Sequence, residues 1–313
     1  MTVQSIHHVT ATVTDARTDL DFYTRILGLR LVKKTVNFDN HFVYHFYYGD
    51  ELGTPSTIMT TFPYGDWNVP VGVKGAGQVT VTSFSVPGDS LPAWRERFRE
   101  ARAPVTDAPP RYGSQSIIVE DPSGLTLELV GEVQDERAAW LAPGIGPDLA
   151  IRGLDLVSLS IRQPGPTLDL LTGLLGFEVV AESQWRTRLA VRGDGPGRRL
   201  EILETPGATA ARNGLGTVHH VALAVGSADE QLALREALLS RGIEPTEVRD
   251  RCYFQSIYFR EPGGVLFEIA TAGPGFTIDE RAGELGSSLK LPPWEEAHRS
   301  EIEARLPSLG PPA

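Results

Sequence analysis

The chain has 313 residues, enough for one large domain or two ordinary ones, and its apolar content suits a soluble globular core. Asp and Glu number 40 against 29 Lys and Arg, and the formal charge of -11 argues against general binding to nucleic acid or to an anionic membrane. One cysteine, Cys252, excludes an intrachain disulfide framework and a cysteine-rich zinc site.

The first residues offer neither a basic segment nor an apolar run of signal-peptide type, so a cytoplasmic protein is expected. No stretch is apolar for the roughly 20 residues that a spanning helix needs. The segment SIHHVTATV, residues 5–13, alternates with a strand period of two. His8, Thr10 and Thr12 fall on one face, and Val9, Ala11 and Val13 on the other. Thr14-Asp15 makes a helix start, and residues 19–28 read as an amphipathic helix ending at Gly28. Three strand-like segments follow, at 29–38, 41–50 and 56–62. The order is strand, helix, three strands.

That order returns three times. The second unit starts at residues 78–86, has its helix near 91–101 and ends at 116–130. The third starts at 154–161, carries a helix at 167–176 and ends at 198–206. The fourth starts at GTVHHVALAV, has a helix at 229–242 and ends at 258–270. The endings EDPSGLTLELV and REPGGVLFEIA align without a gap, the clearest internal match. A Pro- and Gly-containing stretch at 132–150 reads as a linker. The expected organisation is an N-terminal half over 1–140, a C-terminal half over 150–275, and a tail over 276–313 with a short helix in PPWEEAHRSEIEARL. The expected fold class is α+β, with four βαβββ units forming two cupped mixed sheets, helices outside.

Aligning the units gives each a position equivalent to His220: His8, Val81, about Leu156 and His220. The positions equivalent to Glu268 are Met59 or Thr60, Glu128, Glu201 and Glu268. Only pairing unit one with unit four, and two with three, gathers a complete set, His8, His220 and Glu268, in one cup. Two imidazoles and one carboxylate leave about three open positions on an octahedral ion, the arrangement of non-haem Fe(II) oxygenases; Mn(II) suits the same donors. A structural zinc site would be closed by four ligands, usually with thiolates. His7 and His219 lie one residue earlier, near the strand starts, where a strand twists or bulges. They could orient the ligands, bind substrate or pack. His41 and His45, on one strand face with Val43 and Tyr47, could reach the pocket but are read as packing residues.

These units and histidine pairs resemble the vicinal oxygen chelate superfamily, which includes glyoxalase I and the extradiol dioxygenases. The runs GDELGTPSTIMTTFPYG, RDRCYFQSIYFREPGGVLFE and ELGSSLKLPPWEEAHRSEIEARL resemble its hydroquinone ring-cleaving dioxygenases, over essentially the whole chain. The resemblance implies Fe(II) held at the positions of His8, His220 and Glu268. It also implies an arginine and a tyrosine near the bound diol, matching Arg251 and Tyr258, beside histidines matching His7 and His219 and a threonine matching Thr10. The roles expected are proton relay by His219 or Tyr258, charge stabilisation by Arg251, and substrate binding by His7 and Thr10. On a strand read as 252–260, Phe254, Ser256, Tyr258 and Arg260 share the concave face.

The expected reaction is O2-dependent opening of a small para-diol ring. Catechol extradiol cleavage and glyoxalase-type isomerisation are alternatives on the same fold; the isomerase generally uses a fourth protein ligand, which neither Met59 nor Thr60 supplies. A non-enzymatic small-molecule binding or resistance protein is a third reading. A homo-oligomer is compatible with the sequence, although four units in one chain complete both cups without a partner.

Overall fold

The repeats emerge as four copies of one βαβββ unit in the computed structural model, which describes residues 3–310. Unit one comprises β1 (Ser5–Val13), α1 (Ala16–Asp21), β2 (Arg30–Asn37), β3 (Asn40–Gly49) and β4 (Ile58–Pro63). Unit two comprises β5 (Gln78–Pro87), α2 (Leu91–Glu100), β6 (Val105–Asp107), β7 (Ser116–Glu120) and β8 (Thr126–Glu132). Unit three comprises β9 (Gly153–Ile161), α3 (Pro164–Gly173), β10 (Phe177–Ser183), β11 (Arg186–Val191) and β12 (Arg199–Glu204). Unit four comprises β13 (Thr217–Val225), α4 (Ala228–Ser240), β14 (Arg249–Asp250), β15 (Gln255–Arg260) and β16 (Leu266–Thr271).

The helix start expected at Thr14-Asp15 forms. The Asp15 carboxylate accepts from the Thr18 amide at 2.7 Å, and α1 continues as a π-helical turn, Phe22–Ile26. Ser227 caps α4 in the same way. In the tail, α5 (Arg299–Arg305) takes only the second half of PPWEEAHRSEIEARL. Pro292 and Pro293 have no amide to donate and precede it.

The units pair as one with four and two with three. One sheet runs β14, β15, β16, β13, β1, β4, β3, β2, and the other β10, β11, β12, β9, β5, β8, β7, β6. At the centre of each, the first strands of two units meet antiparallel, β1 with β13 and β5 with β9. The bulky alternate residues Val9, Val13, Val221, Leu223, Phe267 and Ile269 are buried on the convex side, in one core with helix residues such as Phe22, Trp94, Leu171 and Leu238. The concave side of the first sheet carries a separate cluster that includes Tyr47, Ile58, Ala222, Phe254, Ala270 and Phe276. No helix among the described residues is long and apolar enough to cross a membrane.

The strand read as 252–260 starts only at Gln255. Cys252 sits at φ +61°, in a turn closed by the Arg251 amide donating to the Phe254 carbonyl at 2.9 Å. Arg251 therefore projects from a turn, not from a strand.

Candidate metal centre

Both histidine pairs sit on β-bulges. Ile6 pairs with Leu223 and His8 with Ala222, so His7 is the extra residue of β1. Thr10 pairs with His220 and Ala11 with Val218, so His219 is the extra residue of β13. Ile6 and Val9, and Val218 and Val221, thus all lie in the convex core. The two histidines between each pair of core residues are set toward the cup. The strand β16 brings Glu268 opposite Ala222, two residues past His220. The same register on the other side places Thr60 opposite Thr10, two past His8, so Thr60 rather than Met59 is the equivalent of Glu268.

The three candidate ligands converge. His8 Nε2 lies 3.3 Å from His220 Nε2 and 3.3 Å from Glu268 Oε2, and His220 Nε2 lies 2.8 Å from that oxygen. Adjacent ligands about 2.1 Å from one ion would stand about 3 Å apart, so the set fits a single cation. Glu268 Oε2 is buried and receives no well-directed hydrogen bond among the described residues. Its partner oxygen Oε1 accepts from Ser256 Oγ. His8 Nδ1 lies 2.8 Å from His7 Nδ1, and His220 Nδ1 lies 2.8 Å from His219 Nδ1. A metal on Nε2 needs the proton on Nδ1, and the neighbouring histidine accepts it. Burial pushes His7 and His219 down to about 3, which leaves both neutral. Burial also lowers His220, while burial's upward push on Glu268 is outweighed by His8 and His220 beside it. One carboxylate and neutral imidazoles are the protonation states that a cation requires.

The triad opens into a cavity of about 330 Å³. Its wall includes Phe254, Tyr258, Arg251 and His219, and also His45, Phe62, Tyr64, Asn37, Asp39 and Arg249. Arg251 Nε donates to Tyr258 Oη at 3.1 Å and Nη2 to Asp39 at 3.2 Å. Burial and the nearby Glu268 raise Tyr258, so its hydroxyl stays protonated. His7 and Thr10 do not line this cavity. His7 is buried against Phe254 and His8, and Thr10 accepts from Thr60 at 2.8 Å. Arg260 leaves the cup, and its Nη1 donates to the Gly264 carbonyl. His45, read from sequence as packing, lines the cavity; His41 instead meets Glu295 of the tail at 3.0 Å. Asn37 and Asp39 come from the β2–β3 hairpin; Asn37 donates to Tyr64 Oη at 2.9 Å and Asp39 meets Arg251 only through tertiary folding, so no local pattern marks them.

The second cup holds Glu128 and Glu201 at the Glu268-equivalent positions, with Val81 and Leu156 where histidines would be. Arg111 bridges both carboxylates, and Arg186 adds a second cation to Glu201. Its donors are thereby taken by guanidinium groups.

Comparison with known proteins accords with this architecture. Residues 5–129 and 153–269 match the Glyoxalase/Bleomycin resistance protein/Dioxygenase superfamily, and the chain belongs to it. Relatives along nearly the full length carry narrower names. MhqO of Bacillus subtilis (strain 168), named a ring-cleaving dioxygenase, is 42% identical over 96% of this chain and 95% of its own. A chlorohydroquinone/hydroquinone 1,2-dioxygenase of Sphingobium indicum is 33% identical over 96% and 95%. The crystal structure of a dioxygenase from Bacillus subtilis superposes with a TM-score of 0.93, at 41% identity, covering 98% of this chain and 97% of that one. The chain is an enzyme of the ring-cleaving dioxygenase class.

Proposed function

We propose that the chain is an Fe(II)-dependent dioxygenase that opens hydroquinone-type para-diols, with O2 as co-substrate. The observation that carries the reading is the convergence of His8, His220 and Glu268 on one point beside the Arg251–Tyr258 pair. Thr60 at the fourth position supports a three-ligand centre over a four-ligand isomerase. The names of the full-length relatives support the hydroquinone class. The same donors would hold Mn(II).

His8, His220 and Glu268 would hold the metal, which when bound supplies Lewis acidity toward a phenol and open positions for substrate and O2. The residues around it do the rest. Arg251 stays charged because Tyr258 and Asp39 offset its burial. It would stabilise negative charge on the oxygens at the reacting face. Tyr258 accepts from Arg251, which leaves its own proton free to be donated to a developing oxyanion. His219, neutral and on the wall, has its Nδ1 lone pair taken by His220 and so carries its proton on Nε2, which would donate to an oxygen of the bound diol and relay a proton there. His7 and Thr10 act from behind the wall: His7 fixes His8, and Thr10 anchors Thr60.

The experiment is oxygen uptake by anaerobically prepared, Fe(II)-reconstituted protein, with methylhydroquinone and catechol offered separately. Uptake with methylhydroquinone and little with catechol is expected. Uptake with catechol alone would move the enzyme to the extradiol reaction. No uptake with either, in protein that holds iron, would end the proposal.

A further inference from the structure

The strands of the triad, β16, β13 and β1, are flanked in the sheet by β15 on one side and by β4 and then β3 on the other. From β15 and the turn before it come Tyr258 and Arg251. From β3 comes His45, which lines the cavity and which the scheme above leaves unused. Its ring is held by Tyr47, with centroids 4.0 Å apart, and by Phe62 at 4.3 Å.

The hydrogen bonds around His45 fix where its proton sits. Thr60 Oγ1 donates its one proton to Thr10 Oγ1 at 2.8 Å. His45 Nε2 lies 2.9 Å from the same Thr60 oxygen, so here the imidazole must donate. Burial, with His8 and His220 nearby, holds His45 well below its ordinary value, so the ring is neutral. A neutral imidazole that donates from Nε2 carries a bare lone pair on Nδ1. That atom has no hydrogen-bond partner among the described residues, and it is not among the occluded polar atoms. It is an acceptor open to the cavity.

We infer that His45 is a further substrate-contact residue, its Nδ1 accepting a hydrogen bond from the hydroxyl of a para-diol that points away from the metal. The inference rests on the hydroquinone reading. A para-diol bound through one oxygen carries its second hydroxyl across the ring, and that hydroxyl needs an acceptor. Arg249 and Arg251 can only donate, and both already hold Asp39. An ortho-diol with both oxygens at the metal would leave His45 Nδ1 unused.

The test compares hydroquinone with 4-methylphenol, in which a methyl group of similar size replaces the second hydroxyl. Binding to Fe(II)-loaded protein is measured anaerobically by calorimetry, for wild type, His45→Phe and Thr60→Val. Wild type should prefer hydroquinone by roughly tenfold, well beyond the about twofold that two equivalent oxygens supply. In His45→Phe, whose ring fits between Tyr47 and Phe62, the preference should shrink to about that twofold. Thr60→Val keeps the imidazole but removes the acceptor that fixes its tautomer, so it too should weaken the preference. An undiminished preference in either folded variant overturns the inference. Wild type that binds both phenols equally overturns it while sparing the metal-bound phenol; wild type that binds neither overturns the hydroquinone reading as well.

Discussion

Ser256 does for Glu268 what His7 and His219 do for His8 and His220: each engages the side-chain atom that faces away from the point where the three candidate ligands converge. Partners of this kind set ligand orientation and basicity, and losing one typically costs about 10- to 100-fold in metal affinity. Ser256→Ala should therefore weaken Fe(II) binding by about that factor in competition with a chelator, while the fold is retained. Unchanged affinity would remove Ser256 from the site. At this scale much was legible in the sequence. The His-His pairs and Glu268 stood out because duplication placed them at matched positions, and the alternation of β15 put Ser256 on their face. Arg251 and Tyr258 came from family resemblance. His45 stayed open between pocket and packing because strand alternation gives a face and cannot say whether that face meets a cavity or a packed side chain. Asp39 was invisible because its partners lie 210 and 212 residues away.

Two elements bind the fold around the cup. The tail covers β2, an edge strand of its sheet, and buries Lys33 there in ion pairs with Asp279 and Glu280. Its Phe276 packs on Tyr47 and Tyr253 and passes over Gly53 of the DELGTP run. A Cβ at Gly53 would meet that ring at 2.6 Å, and its φ of +71° also favours glycine. The DELGTP run and the tail, two separate sequence signatures, are thus one packing unit. The other element is α1, which turns Asp19 inward. The Asp19 carboxylate accepts from Tyr48 at 2.7 Å and Thr61 at 2.6 Å, yet burial pushes it up to about 7. The folded chain therefore binds this proton more tightly than the unfolded chain. The associated stability is full below the ordinary carboxylate value and is lost as pH rises toward 7, by on the order of 4 kcal/mol. Asp19→Asn should flatten that loss, as read by denaturant melts at pH 5 to 8. A variant whose stability falls as steeply as wild type would show that Asp19 is not the group responsible. Periodicity marked α1 as amphipathic but gave no sign of this carboxyl, whose burial depends on β3 and β4.

Over the whole molecule, one duplicated scaffold yields two cups of opposite character. In the first, three metal-type donors converge; in the second, Arg111 and Arg186 neutralise the equivalent carboxylates. A reconstituted chain should therefore hold about one Fe(II), not two, by elemental analysis against protein concentration. Two per chain would mean that the second cup sheds its arginines. The repeat and the pairing of unit one with unit four were determined by sequence, and the candidate ligand set was read from it, because strand period, duplication and donor chemistry are local properties that leave one consistent assembly. The tertiary structure alone decided the rest. Bulges at His7 and His219, set by unequal advance of β1 and β13, turn both members of each pair toward the cup. Long-range packing, which no local pattern encodes, chose Thr60 over Met59, set Arg251 in a turn across from Asp39, and opened His45 to the cavity.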